Sequence, residues 1–438
     1  MQPKQFLLLA AFTSFLSLAI SKSANAQKPG TTLLTLSQNE KLDGFKTVAV
    51  YLNDANKPMG ARFIHEKTGF TFDLLQIESV PQVFFYVNTF PVSDRGEPHT
   101  QEHLLITKGN KGHQINTREG MSLTRSNAFT NQLYTAYDFY TGASTDIFYS
   151  LFEEYLDALL YPDYTNEEVS REVRNWGVSQ NPDKTLRIEE KGAVYNEMST
   201  TMNNPYSLMY DTIGRILYGD AHPLSYNAGG LPSGIRELNA AEILKFHNDN
   251  YYLGNMGAIV SLSKTEKLEE VLNRMDKILN KLNGESKQKE HISKNLPPPH
   301  PAAGGEIALI NYPSQNKQQP GDIIMAFPPS LTLSPTENVL LSNFLSVFAG
   351  DATTNLYKIF VDSKTKNKNL DAQGVFGYVD NNEGNPVYFG LDGVSSDNLT
   401  KEKGELARQL ISEELNKIAY YKDNSPEVLA FNKRFKNS

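Results

Sequence analysis

The pattern of apolar and polar positions changes several times along the chain, and each change predicts a different element. Aromatic and β-branched residues dominate FTFDLLQIE (70–78) and VFFYVNTF (83–90), which predicts two strands. Residues 126–141, SNAFTNQLYTAYDFYT, predict a strand pair. From Ser144 onward, apolar residues recur with helical spacing until Pro162, which predicts one amphipathic helix.

The same pattern returns in the last third of the chain. EIALINY (306–312), GDIIMAF and VYFGLDGV predict strands, and a final helix is expected over about 401–421. SPTE, residues 334–337, has the form of a capping box with proline at the first helical position, so it predicts the start of a helix. Between the two regions, residues 284–305 are polar, then proline-rich, then glycine-rich, as is typical of a linker.

Strands grouped with strands and helices with helices predict an α+β fold. We expect two related domains, residues 27–283 and 306–438, each a mostly antiparallel sheet with helices packed on one face. Residues 1–26 carry Lys4, an apolar run and the small residues Ala24-Asn25-Ala26, which is the layout of a cleaved signal peptide. The run is short for a membrane span. The sequence therefore predicts an exported protein, periplasmic or extracellular, with no membrane association after cleavage.

The composition of the chain limits which partners and which kinds of chemical site it can have. The net charge of −8 is spread along the chain, so no basic surface indicates nucleic acid as a partner. Cysteine is absent, which excludes disulfides, thiolate metal sites and cysteine nucleophiles. Any metal would have to bind to histidine and carboxylate side chains.

One short stretch, EPHTQEHLL, offers such side chains. His99 and His103 are four residues apart, so on a helix both imidazoles lie on one face and can bind one zinc ion. Glu102 flanks that face, where a carboxylate can take a proton from a zinc-bound water. The alternative is a solvated helix whose histidines face water. A third ligand must come from elsewhere, and Glu190 and Glu197, seven residues apart in IEEKGAVYNEMST, are candidates that could equally be surface residues.

The H-x-x-E-H spacing resembles the inverted zinc motif of the insulinase/pitrilysin family of peptidases. FIHEKTGFTFDLLQIE and FFYVNTFPVSDRGEPHTQEHLL resemble the segment before the motif in the presequence protease branch. SNAFT resembles the edge strand of the family's active site, KGAVYNEMS its downstream glutamate motif, and residues 228–252 the end of its first domain. The similarity continues more weakly through the second region, and it concerns the N-terminal half of the family's chains.

The resemblance implies a role for each candidate residue. His99, His103 and Glu197 would bind one Zn²⁺ per chain, Glu102 would be the general base, and Glu190 would orient a ligand. The protein would then be an endopeptidase that hydrolyses unstructured peptides with a glutamate-activated, zinc-bound water.

The substrate would bind at a sheet edge. By the same resemblance, an extended peptide would add as a strand along Asn127, Ala128, Phe129 and Thr130.

The sequence departs from the family pattern in two respects, of which only the second, the length of the chain, affects these expectations, because the first concerns positions that point away from the metal face. Thr100 and Gln101 occupy positions that are usually apolar in relatives. Family chains also have a second half that supplies an arginine and a tyrosine to the transition state. By this resemblance we expect the chain to lack that second half and the C-terminal end of the second domain, 306–438. The alternative function is therefore a half-enzyme that binds zinc and peptides but needs a partner chain for turnover. A structural subunit without zinc is disfavoured, because all three ligands and the base are present.

Overall fold

The protein is described from a computed structural model. The described residues are 31–283, 296–299, 304–314, 316, 318–366 and 370–437. The predicted signal peptide, residues 1–26, and most of the predicted linker, 284–305, lie outside them.

The described residues form thirteen strands in three sheets. The strands are β1 (Lys41–Leu42), β2 (Phe45–Leu52), β3 (Pro58–His65), β4 (Thr71–Gln76), β5 (Gln82–Asn88), β6 (Thr124–Thr130), β7 (Tyr134–Thr141), β8 (Asn175–Gln180), β9 (Leu186–Lys191), β10 (Met256–Leu262), β11 (Gly321–Phe327), β12 (Gly374–Val379) and β13 (Val387–Val394).

Thirteen α-helices accompany them in the described ranges. They are α1 (Glu97–Leu105), α2 (Gly109–Met121), α3 (Thr145–Leu160), α4 (Asn166–Val173), α5 (Ala193–Thr201), α6 (Pro205–Tyr218), α7 (Pro232–Ile235), α8 (Ala240–Asn250), α9 (Leu268–Leu282), α10 (Pro335–Phe348), α11 (Asn355–Phe360), α12 (Lys401–Ala419) and α13 (Pro426–Asn437).

The largest sheet has eight strands in the order β1-β2-β3-β4-β10-β5-β7-β6. Neighbours are antiparallel except β10, which comes late in the chain, inserts between β4 and β5, and runs parallel to β4. The predicted strand pair is confirmed as β6 and β7, and β6 lies at the edge of the sheet.

The core of this sheet is aromatic and is covered by α3 and α9. The predicted apolar stripe is confirmed: Phe148, Phe152 and Tyr155 on α3 are fully buried, and the ring of Phe152 lies 4.7 Å from that of Phe85 on β5. Ser144, the residue before the helix, caps it: its side chain accepts a hydrogen bond from the backbone N–H of Ile147.

A smaller sheet has the order β11-β13-β12 and its own core, to which α10, α11 and α12 contribute. The predicted capping box of α10 is confirmed. The strand predicted over EIALINY is wrong, because residues 306–312 form no strand in the structure. An extended segment becomes a strand only when a neighbour satisfies its backbone hydrogen bonds, and no described strand does so here.

An α+β fold with a large mixed sheet and packed helices is thus confirmed, while the division into two related domains stays a prediction. Among the described residues, no helix has both the length and the apolar character needed to cross a membrane.

Candidate metal centre

Helix α1 carries both histidines and is buried along nearly its whole length, although most of its residues are polar. His99 and His103 point the same way one turn apart, with ring centroids separated by 4.6 Å. Burying polar side chains costs free energy unless they find partners. The partners of this helix therefore define the site.

The start of α1 is held by a close contact between two glycine segments. Gly96, with φ +75°, precedes the helix, and a Cβ there would lie 2.6 Å from the carbonyl oxygen of Gly229. Gly230, with φ +86°, faces Gly96 from the other side of the contact. Only glycine fits both positions without strain. The contact brings the Gly229 carbonyl to the Nδ1 of His99, at 3.3 Å.

Helix α5 brings Glu197 to the histidines. Its carboxylate oxygens lie 3.6 Å from His99 Nε2 and 3.5 Å from His103 Nε2. The two Nε2 atoms are 3.1 Å apart, and all three ligand atoms lie within 4.8 Å of one another. Ligands of a tetrahedral zinc, with bonds of about 2.0–2.1 Å, are separated by roughly 3.3–3.4 Å. The observed spacings therefore fit a zinc ion.

The hydrogen bonds of the histidines supply a second test. Nδ1 of His99 faces a carbonyl oxygen, and Nδ1 of His103 lies 2.8 Å from a carboxylate oxygen of Glu172. Both partners can only accept, so each Nδ1 carries a proton and each neutral ring turns an Nε2 lone pair inward. Two lone pairs and the Glu197 carboxylate then converge with no proton among them, which favours a cation at their centre.

Glu172 on α4 is a residue of the site that the sequence did not predict. It is buried, and besides His103 it binds the ammonium group of Lys108 at 2.8 Å. Burial raises its pKa, but the hydrogen bonds from His103 and Lys108 outweigh burial and leave the pKa below its usual value. The sequence offered only a weak indication of this residue: Glu172 follows the helical spacing of the apolar Val169 and Val173, which are buried in the structure.

The two histidines have different environments. Burial and the neighbouring His103 lower the pKa of His99, which favours the neutral, metal-binding form. Burial also acts to lower the pKa of His103, but the hydrogen bond to Glu172 and the surrounding carboxylates outweigh it and raise that pKa.

Glu102 lies beside His99, His103 and Glu197 and is itself buried. Burial raises its pKa, and the hydroxyl of Thr130 donates a hydrogen bond of 2.7 Å to its carboxylate. Thr130 ends β6, so this contact ties the edge strand to the site.

The other predicted substrate residues follow along β6. Asn127 is exposed, and Ala128 packs against the core. Phe129 lies on the opposite face, against the rings of Phe84 and Tyr134. No strand covers the outer edge of β6 in the part of the chain that the structure describes.

Glu190 on β9 lies among cationic groups. Its carboxylate pairs with Arg236 and Arg174, and the hydroxyl of Tyr195 donates to it. Arg236 contributes most to lowering its pKa to about 2. Tyr195 precedes Glu197 by one half-turn on α5, so Glu190 contacts the helix that carries Glu197, whereas Glu172 contacts a histidine directly. The predicted role of Glu190 stays a prediction.

Comparisons with known proteins bear on this arrangement. No family model matches the chain. The mitochondrial presequence protease of Schizosaccharomyces pombe is 31% identical over 201 residues, which are 44% of this chain and 20% of that protein. The matched regions span about a quarter or less of the length of the curated relatives.

Solved structures show the same fold. A putative M16-like peptidase from Alicyclobacillus acidocaldarius superposes with a TM-score of 0.59 at 15% identity, covering 91% of this chain and 84% of that one. Pitrilysin superposes with a TM-score of 0.52 at 14% identity, covering 84% of this chain and 37% of that one. The chain is therefore a homologue of the M16/pitrilysin-family peptidases, related in sequence to the presequence proteases over part of its length.

Proposed function

We propose that the chain is a zinc-dependent endopeptidase that hydrolyses peptides without stable structure. The observation that carries the proposal is the convergence of His99 Nε2, His103 Nε2 and a Glu197 oxygen within 4.8 Å, with both Nδ1 atoms engaged by acceptors. Two imidazoles and one carboxylate form the ligand set of many catalytic zinc sites, which keep a further position open. One zinc ion per chain follows from this set.

Each residue of the site is assigned a separate role in hydrolysis. A zinc ion held there supplies Lewis acidity, which lowers the pKa of a water and polarises a peptide carbonyl. Glu102, outside the ligand set and held by Thr130, accepts a proton from the attacking water and can return it to the leaving amine. Glu172 keeps His103 in the tautomer that offers Nε2 inward. Glu190 is assigned an orienting role, because it accepts a hydrogen bond from Tyr195 on α5, the helix that carries Glu197.

Substrate binding is assigned to β6. An extended peptide can add to its outer edge by backbone hydrogen bonds, along Asn127, Ala128, Phe129 and Thr130. The Thr130–Glu102 hydrogen bond places the end of that edge next to the base. The fission yeast relative is a presequence protease, and for this chain we propose only the general class, an unstructured peptide.

The proposal is tested by separating metal binding from hydrolysis. Purified protein should contain about one zinc per chain by mass spectrometry of metals. Glu102→Gln should keep the zinc and lose about 10²–10⁴-fold in cleavage of a quenched peptide, as expected when a general base is removed. Glu405→Gln, at a half-exposed position of α12, is the matched control and should change neither quantity. Loss of zinc from Glu102→Gln with unchanged circular dichroism would make Glu102 a ligand and contradict the assignment.

A second candidate function is favoured by the partial match to the relatives. Because the matched regions cover only 27% and 20% of two of them, the chain could bind zinc and peptides yet require a partner chain for turnover. In that case the purified chain cleaves the quenched peptide slowly, and co-expression with a polypeptide resembling the family's second half restores the rate. Rapid, chelator-sensitive cleavage by the monomer would exclude this candidate.

Two further expectations stay proposals. The chain is proposed to consist of two related domains, and a matching order of elements around the two larger sheets supports this. Export to the periplasm or the extracellular space depends on residues 1–26, which lie outside the described residues.

A further inference from the structure

The two larger sheets repeat one order of elements. In the first the order is β5-α1-α2-β6-β7-α3-α4, and in the second it is β11-α10-α11-β12-β13-α12-α13. In each sheet the third of these strands lies between the other two, and both pairings are antiparallel. The contacts also correspond: the first helix touches the second and the fourth, and the second helix touches the third.

The repeat breaks at one edge. In the first sheet, the outer edge of β5 is covered by β10, which runs antiparallel to β5 and parallel to β4. In the second sheet, β11 is the counterpart of β5. No described strand covers its outer edge.

An open cavity of about 760 Å³ lies at this edge. It is lined by β11, by the irregular residues 304–312, by one face of α6 and by the start of α12. Residues 304–312 precede β11 across a short connection, just as β4 precedes β5. The cavity is therefore lined by the counterparts of β4 and β5, which are the two strands that enclose β10 in the first sheet.

The size and lining of the cavity suit one strand. At ~4.8 Å between strands, ~10 Å between layers and ~3.4 Å per residue, a strand with its side chains needs roughly 160 Å³ per residue, which gives room for about five residues. Helix α6 contributes Met209, Ile213 and Ile216 to the lining, and α12 contributes Gly404, Ala407 and Arg408. An occupant with apolar side chains toward α6 fits these walls, and β10, buried at six of its seven positions, has side chains of that kind.

We propose that this cavity is a docking site for one apolar β-strand of a separate polypeptide, bound antiparallel to β11. The strand would complete the second sheet as β10 completes the first. Every described strand already has its place in a sheet, so the described part of the chain holds no spare strand for the site. The proposal does not depend on zinc or on hydrolysis.

The test uses hydrogen exchange on the full chain in the presence of a chelator, so that no peptide is hydrolysed. The probe is a synthetic peptide with the sequence of residues 254–265, GNMGAIVSLSKT, which contains β10. A peptide of the same composition in scrambled order is the control. The probe should slow exchange of the backbone amides of residues 322–327 at least tenfold, and the scrambled peptide should leave them unchanged.

Two variants test whether the peptide binds in the cavity. Ile213→Trp and Met209→Trp each fill the cavity from α6, on different turns, and each should abolish the protection of 322–327 while exchange in β5 and β7 stays as in the wild type. Using both keeps the test decisive if one variant fails to fold.

Three results would overturn the proposal. The first is that the probe protects no amides of β11. The second is protection confined to β6, which would mean that the peptide binds only as a substrate would. The third is protection of β11 without any peptide in a concentration-dependent dimer, which would identify a second copy of this chain as the occupant.

Discussion

Helices α1 and α10 occupy the same place in the two repeats, yet they bury opposite kinds of residue. Each follows the first strand of its repeat, begins with proline in its first turn, and contacts the strands of its sheet. Helix α1 buries His99, Thr100, Gln101 and Glu102. Helix α10 instead buries apolar residues: Leu345, Val347 and Phe348.

The comparison shows that this architecture does not require a polar helix. Burying hydroxyl, amide, imidazole and carboxylate groups costs free energy that an apolar helix avoids. In α1 much of this cost is offset by specific partners, such as Glu172 for His103 and Thr130 for Glu102. The polar residues of α1 agree with the proposed metal site, and α10 is the counterpart of α1 without such residues.

The strongest test of the comparison removes a ligand from α1. His103→Ala leaves two ligands, and we expect zinc affinity to fall by more than about 100-fold, beyond the loss seen when only an orienting partner is removed. The change is measured by competition with a chelator of known affinity. His113→Ala, an exposed histidine of α2, is the control and should bind zinc as the wild type does. Wild-type zinc content in His103→Ala would mean that the ligands are misassigned.

The next test concerns the second repeat. Leu391 on β13 is fully buried, and Leu391→Ala should lower the free energy of unfolding by about 2–5 kcal/mol through lost contacts and a cavity. Zinc affinity at 25 °C should not change, because the ligands come from the first repeat. Denaturant unfolding and chelator competition measure the two quantities, and Leu340→Ala, half exposed on α10, should change neither. A zinc site weakened by Leu391→Ala would show that the repeats are coupled.

A smaller effect is expected when the partner of His103 is changed. Glu172→Gln keeps the side-chain shape but loses the charge that holds the imidazole, so zinc affinity should fall about 10–100-fold. Glu190→Gln is the informative comparison, because among the described residues Glu190 contacts Tyr195 and two arginines but no histidine. A larger loss in Glu190→Gln than in Glu172→Gln would reverse the roles that the structure suggests for these two glutamates.

The smallest expected effect is a gain of stability. Thr100 is fully buried and its hydroxyl has no hydrogen-bond partner among the described residues. Thr100→Val replaces that hydroxyl by a methyl group of similar size, and we expect the free energy of unfolding to rise by about 1 kcal/mol. Thr117→Val on the exposed face of α2 is the control. A loss of stability in Thr100→Val would indicate that the hydroxyl is satisfied by a buried water.

Local pattern was enough to predict several elements and part of the site. The four-residue spacing of His99 and His103 placed both imidazoles on one helix face, since a helix repeats every 3.6 residues. The apolar stripe from residue 144 and the capping box at 334–337 predicted α3 and the start of α10 for the same reason, because each depends on residues within a turn or two.

Contacts between distant segments were decided by the tertiary structure. Glu172 lies 69 residues from His103, and the Gly229 carbonyl lies 130 residues from His99, so no local spacing could indicate either. The convergence of Glu197 on the histidines likewise depends on how α5 packs. The seven-residue spacing between Glu190 and Glu197 could not decide which of them is the third ligand.

The strand predicted over residues 306–312 is a case in which the local pattern gave a wrong prediction. Its apolar and β-branched composition is typical of a strand, but pairing requires a neighbour, and β11 lies across a cavity instead of beside it. In the first sheet the neighbour is β10, which returns from more than 150 residues later in the chain to pair with β5. Sequence determines which segments can extend or coil, because those preferences are local. Which segments meet is determined only by the packing of the whole chain, because a strand's hydrogen bonds and a ligand's partners come from elsewhere in the sequence.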